Sequence, residues 1–215
     1  MGAVVGNLDL FLQGFGNTLL MLGGTVLFAL PIGILVAAMR ISPIASLRIT
    51  ATVYTEWLRN TPLTLVFFFM AFVMPRLGVT IDFVASAIVA LTLYTAPFFA
   101  EAIRSGINSV PVGQAEAARS IGLGFGQTLT LVVLPQAIRS VIPPLINVII
   151  ALTKNTSVAT GFFVFTLVSV LTRLIRSNPG DLVALFLGIA VCYLLITIPL
   201  GRIADRLEKR VAVQR

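Results

Sequence analysis

The sequence predicts an all-α integral membrane protein with five helical crossings. Three observations predict it. Charged residues are only 11% of the 215, where soluble domains carry about 25%. Mean hydropathy is +1.03, more apolar surface than a soluble globule of this size can cover. The charges also fall between uncharged stretches long enough for a hydrocarbon core of about 30 Å, which takes roughly 20 helical residues.

The crossings follow in order. Residues 10–39, between Asp9 and Arg40, form the first. Residues 60–75 cover only about 24 Å as a helix, so the second helix is expected to start earlier, near Val53. Glu56 and Arg59 then share a face at the inner interface, with Tyr54 and Trp57 as anchors. The third, residues 83–100, ends at Glu101, which Arg104 can pair with at i,i+3. Residues 140–172 carry one charge, Lys154, and are too long for one crossing at about 50 Å. The fourth helix is expected to begin behind Pro143 and Pro144, leaving 162–176 as a re-entrant or interfacial segment. Residues 182–201 form the last.

Charge bias selects five crossings over six. With the N-terminus outside, Arg40, Arg48, Arg59, Arg104, Arg119, Arg139, Arg202, Arg206, Lys209, Arg210 and Arg215 lie inside. Arg76, Arg173 and Arg176 lie outside, an eleven-to-three split with Lys154 set aside. Six crossings equalise the two sides, against the positive-inside rule. The C-terminus is then cytoplasmic. Residues 15–203 read as one membrane domain and 204–215 as a basic helical tail with Asp205–Lys209 spacing. Met1–Leu8 lacks the positive charge of a cleavable signal peptide.

The net charge of +7 is then topogenic, which removes the case for nucleic acid. With no His and one Cys, zinc, haem, a His-based triad and an internal disulfide fall away, and no metal or catalytic site is expected. Cys192 reads as a small apolar side chain. Ala29, Gly33 and Ala37 recur every four residues and permit close helix approach, within one subunit or between two.

Three segments bear on function. A phosphate-binding loop needs a Gly–Lys pair, but Thr153 and Glu208 precede the only lysines, Lys154 and Lys209. Gln114–Ile121 favours a short helix, with Pro111 near its start and Gly122 as its stop. Such a helix either docks in another protein's groove or packs on its own loop. Lys154 is placed near the bilayer midplane, where an ionisable group is by default a functional candidate. Asn147 shares its face and Ser157 lies close to the same stripe. Lys154 then meets a substrate carboxylate, pairs with helix carbonyls, or reaches to the outer interface. Asn60 and Thr61, before Pro62, either adjust the helix or line the path.

Glu116-Ala117-Ala118, Gly122 and Leu134-Pro135 resemble the conserved cytoplasmic loop of membrane subunits of bacterial ABC importers, with Val132 where that pattern has Ile. RNTPLTL at 59–65 and LTKNTSVA at 152–159 resemble the polar amino acid branch, and GQAEAARSIGLGFG at 113–126 with ALTKNT at 151–156 looks most like its glutamate importers. The resemblance covers about residues 15–203. It implies a type I importer transmembrane domain in the bacterial cytoplasmic membrane, built from two permease subunits, identical or homologous. Separate cytoplasmic ATPase subunits would hold ATP and Mg, this chain holding no cofactor. An extracytoplasmic solute-binding protein would deliver the amino acid. Gln114, Glu116, Ala117, Ala118, Arg119 and Gly122 would dock the ATPase. Lys154, Asn147, Asn155, Thr156, Ser157, Asn60 and Thr61 would line the substrate path. Glutamate is the substrate expected, with glutamine or another polar amino acid such as aspartate the alternative. A secondary transporter usually shows repeated spans and more intramembrane acids; a non-transporting scaffold needs no polar stripe.

Overall fold

The computed structural model describes residues 2–212, with side chains described through residue 209. The Arg210 side chain and the end of the basic tail at Arg215 therefore lie outside the described residues. The elements are helices throughout the described chain. A short turn of helix, Gly2–Val5, leads into α1, Leu8–Arg40. α2 is Ala45–Arg59. α3 begins at Leu63–Phe68 and continues through a π-helical stretch, Phe69–Val73, to Met74–Arg76. α4 is Phe83–Asn108, capped by the Asp82 carboxylate accepting from the Val84 and Ala85 amides. α5 is Val112–Ser120. Phe125–Gln127 and a π-helical stretch, Thr128–Val133, run into α6, Leu134–Asn155, which tightens into a 3₁₀ segment, Thr156–Phe162. α7 is Leu167–Ser177, and α8 is Leu182–Ala212.

Four stretches are long and apolar enough to cross a membrane: Leu8–Arg40, Phe83–Asn108, Phe125–Phe162 and Pro179–Lys209. The pair α2 and α3, bent by 98°, supplies the fifth. Tight contacts fix the relative directions. A Cβ on Gly24 meets Ile88, and one on Gly33 meets Phe99 at 2.6 Å, so α1 and α4 run parallel. Gly106 of α4 touches Val141 near the start of α6, so α6 runs the other way. Between them lies a core in which Met21, Phe67, Leu91 and Leu152 are fully buried. The Ala29–Gly33–Ala37 stripe is thus used within the chain: Ala29 packs with Ala96 and Phe99, and Ala37 with Ala51 and Ala100.

Two expected helix boundaries are corrected. The second crossing is not one helix from Val53; it breaks at Asn60–Pro62. Pro62 has no N–H to continue α2. Side chains cap the end of α2: Asn60 Nδ2 donates to the Glu56 carbonyl at 2.8 Å, alongside the Asn60 backbone N–H, and Thr61 Oγ1 donates to the Trp57 carbonyl at 2.7 Å. The fourth crossing does not begin behind Pro143 and Pro144. Both lie inside α6, as Pro31, Pro97 and Pro199 lie inside α1, α4 and α8. Neighbouring groups in a packed membrane helix can satisfy the carbonyls a proline frees, so Pro143 and Pro144 mark no helix start. Pro97 shows this directly. The Leu93 carbonyl, four residues earlier, accepts from the Tyr54 hydroxyl at 3.1 Å.

The segment after Gly161 is the amphipathic helix α7. Leu167, Val170 and Leu174 are buried against Phe11 of α1 and Leu185 and Ile189 of α8, while Arg173 and Arg176 stay exposed. Asn17 Nδ2 holds the turn before it through the Phe165 carbonyl at 2.9 Å.

Glu101 ties the opposite ends of the helices together. Its carboxylate accepts from Arg104 at 2.7 Å, as the i,i+3 spacing predicts, and also from Arg40 of α1 at 2.7 Å and Arg59 of α2 at 2.9 Å. Arg59 therefore pairs across helices, while Glu56 lies within 3.5 Å of the Asn60 amide.

Two stability outcomes follow. A Cβ on Gly106 falls 2.8 Å from the Val141 Cα and 2.9 Å from its backbone N, so α4 and α6 must separate to admit it, at about 1–3 kcal/mol for overpacking. Gly106→Ala should lower the unfolding midpoint in detergent, whereas Gly23→Ala, with open space around it, should leave it unchanged. Glu101→Gln leaves three guanidiniums facing one neutral amide. It should destabilise the purified protein by about 1–3 kcal/mol, the scale of charge-assisted hydrogen bonds, and by more than Arg104→Gln does in the same melt.

Candidate functional site

Two polar surfaces stand out, one in the loop after α4 and one on α6. The loop helix α5 follows from local chemistry. Pro111 enters it in extended conformation, and alanines carry it. Gly122 ends it with φ +90°, a left-handed conformation that glycine adopts without strain. The Gly122 N–H donates to the Arg119 carbonyl at 3.0 Å and the Leu123 N–H to the Ala118 carbonyl at 3.2 Å, a Schellman stop. The helix packs against the stretch Thr128–Val133.

That packing sorts the residues named from the sequence. Gln114, Glu116, Ala117 and Arg119 are exposed. Ala118 is only 5% exposed, so its side chain belongs to the buried side of the loop. Exposed apolar residues flank the polar face: Val112, Ile121 and Phe125, the last two each 80% exposed. Sequence reasoning passed over these three. Their signal was large apolar residues within a polar loop.

On α6 the buried side is Ala137, Pro143, Ile146, Leu152 and Thr153. Asn147 and Lys154 are exposed, seven residues apart on one face. Lys154 sits in the last turn, where its charge complements the carbonyl end of the helix dipole. With Ser157 it opens onto a cavity of about 280 Å³, walled by Val168 and Leu171 of α7 and by Phe186, Ile189 and Tyr193 of α8. Those α8 positions lie a few turns inside its Leu182 start, so Lys154 is well within the depth of the spans. Thr156 points inward, fully buried, its hydroxyl donating to the Thr153 carbonyl at 2.7 Å. Ser157 donates to the Lys154 carbonyl at 2.7 Å, and Asn155 is half-buried. Asn60 and Thr61 are apart from this face, holding the end of α2. The structure thus brings Lys154, Ser157 and Asn147 to one side of α6 and leaves Asn60, Thr61 and Thr156 as helix-end and core groups.

Residues 29–213 match the family described as binding-protein-dependent transport system inner membrane component. The chain is 40% identical over 199 residues to the glutamate transport system permease protein GluC of Corynebacterium glutamicum, covering 87% of each chain. It is 39% identical over 205 residues to the probable glutamine ABC transporter permease protein GlnM of Bacillus subtilis, covering 95% of this chain and 94% of that one. Among solved structures, one titled as an amino acid ABC transporter with histidines superposes with a TM-score of 0.87 at 28% identity over 96% of each chain. The methionine transporter MetNI shares the fold at a TM-score of 0.69 and 22% identity. With its crossings, its short loop helix and its polar α6 face, this multi-pass chain belongs to the binding-protein-dependent transport system inner membrane components, the permease subunits of ABC importers.

Proposed function

We propose that the chain forms half of the membrane pathway of an ATP-driven importer for a polar amino acid, with glutamate the preferred substrate. The carrying observation is the exposed Lys154–Asn147 face at membrane depth. Hydrocarbon does not accommodate an ammonium and a carboxamide on one exposed face, so this face calls for a second permease subunit and a polar path between the two. A lysine with no acidic residue in the cavity beside it suits an anionic amino acid better than a cationic one. The names of the glutamate and glutamine relatives support the same class, and glutamine or aspartate is the second reading.

The remaining parts follow from the family. ATP and Mg belong to separate cytoplasmic ATPase subunits, and an external binding protein delivers the solute. The N-terminus lies outside and the C-terminus inside, so that α5 and the Glu101 junction face the ATPase. Gln114, Glu116, Ala117 and Arg119, flanked by Val112, Ile121 and Phe125, form the docking face. Ala118 supports it from beneath, and Gly122 sets its angle.

Lys154→Glu should reduce uptake of labelled glutamate by reconstituted vesicles at least tenfold while the complex still assembles, and Lys154→Arg should retain part of it. Normal uptake by assembled Lys154→Glu removes this residue from the path. On the docking face, Ala117→Trp should weaken co-purification of the ATPase and abolish substrate-stimulated hydrolysis. Ala118→Trp is the less informative variant, because a buried side chain moves the whole helix. Wild-type binding and stimulation in Ala117→Trp would show α5 to be only a surface helix.

A further inference from the structure

α2 has two apolar faces, and only one is used inside the chain. Ala51 and Thr55 are buried, Ala51 against Val36 and Ala37 of α1 and Ala100 of α4. On the opposite side Ile49, Val53 and Trp57 recur every four residues and are 63%, 55% and 78% exposed. Both ends of α2 are pinned at one level. Arg48 donates to the Ser42 and Pro43 carbonyls, each at 2.9 Å, just beyond Arg40 at the end of α1. Arg59 reaches Glu101 at 2.9 Å and lies over the Phe98 ring. Arg40 contacts the same Glu101 at 2.7 Å, so the two anchors share a height. Arg48 and Arg59 are eleven residues apart, and in a helix running along the membrane normal one would lie about 16 Å deeper than the other.

We propose that α2 does not cross the membrane: it lies flat along the headgroup–hydrocarbon boundary, with the Ile49–Val53–Trp57 stripe in lipid, and α3 alone makes the second crossing. The level of the charged junction fixes the depth, since Arg40, Arg59, Glu101 and Arg104 hold the ends of α1, α2 and α4 where charges can meet water and headgroups. Three arginines on one carboxylate leave this end net positive, which complements anionic headgroups. A tryptophan on the outward face suits the same boundary. The 98° bend turns the chain from lying to crossing. α3, Leu63–Arg76, spans only about 21 Å, and is held within the protein where Phe67 and Met70 are buried.

The test reads depth in the full chain, with any subunits that co-purify, in phosphatidylethanolamine–phosphatidylglycerol vesicles. Spin labels are placed singly through Ile49→Cys, Val53→Cys and Trp57→Cys in a Cys192→Ser background, and power saturation compares oxygen with a water-soluble nickel chelate. A flat helix gives three depths that agree within about one helical turn, 5 Å, all favouring oxygen. A crossing helix spreads them over about 12 Å and overturns the proposal. Spin–spin broadening between copies with loss of oxygen access overturns it too, assigning the stripe to a second subunit. A label-free reading uses the chain's single tryptophan, with Trp57→Phe samples as the blank. Lipids brominated near the headgroup should quench Trp57 at least twofold more than lipids brominated near the chain ends, and the reverse order would again overturn the proposal.

Discussion

Hydrocarbon offers no hydrogen bonds, so the backbone polar groups carried into the membrane must find their partners within the protein. The irregularities of this fold are shaped by that constraint. Thr18, Thr55, Thr153 and Thr197 turn their hydroxyls back onto the carbonyls of Gly14, Ala51, Ile149 and Tyr193. Asn60 and Thr61 do the same to the Glu56 and Trp57 carbonyls where α2 stops. Pro97 frees one carbonyl, and a tyrosine from another helix fills it. The bend and the proline positions are therefore coupled: Tyr54 reaches Leu93 only because α2 is laid across α4.

The junction at Glu101 extends the same logic to charge. One carboxylate gathers guanidiniums from three helices, so α1, α2 and α4 are registered against one another at a single point. Arg40 and Glu101 are largely buried at this point, at 12% and 21% exposure, while Arg59 and Arg104 reach water at 37% and 35%. Removing one partner from such a group costs more than the group contributes as a whole, because the remaining charges are left half-desolvated. The small residues of α1 add the second requirement. Gly33 lets the Phe99 Cβ approach where a side chain would stand, and the close approach of α1 and α4 that results keeps Arg40 within reach of Glu101.

How much of this was legible in the sequence depended on range. Crossings were legible because charges are too costly to scatter, so their spacing marks the spans. α5 and its stop at Gly122 were legible because propensity and a left-handed glycine act within a few residues. The Glu101–Arg104 pair was legible for the same reason. Arg40 and Arg59 were not assigned to Glu101, since they arrive from 61 and 42 residues away and only packing brings them. Pro143 and Pro144 misled because the proline rule describes isolated helices, whereas here neighbours repair the damage. The inward side of Ala118 was hidden likewise, because nothing local says which face of a short helix meets the π-helical stretch beyond it. At the α6 face, Lys154 and Asn147 were found from depth and spacing alone. The cavity walls from α7 and α8 were not, since they join it only through tertiary contact.

The α6 face then acquires its meaning from contrast. Elsewhere in the spans Asn17, Thr18, Thr55, Thr153 and Thr197 turn to carbonyls of the same chain, while the Thr25, Thr92 and Thr95 hydroxyls are buried without a partner among the described residues. Lys154 and Asn147 are exposed instead, while their neighbours Thr153 and Thr156 are fully buried. A helix that ends in a 3₁₀ segment at this depth presents its carbonyl end, and the lysine in its last turn offsets that partial charge. Its ammonium has three donors, of which the helix end can occupy only some. Within this chain it faces a cavity walled by largely apolar side chains of α7 and α8, which offer it no counter-charge. On the function proposed above, pairing of two subunits across this face would cover its polar groups and create the path in a single physical event.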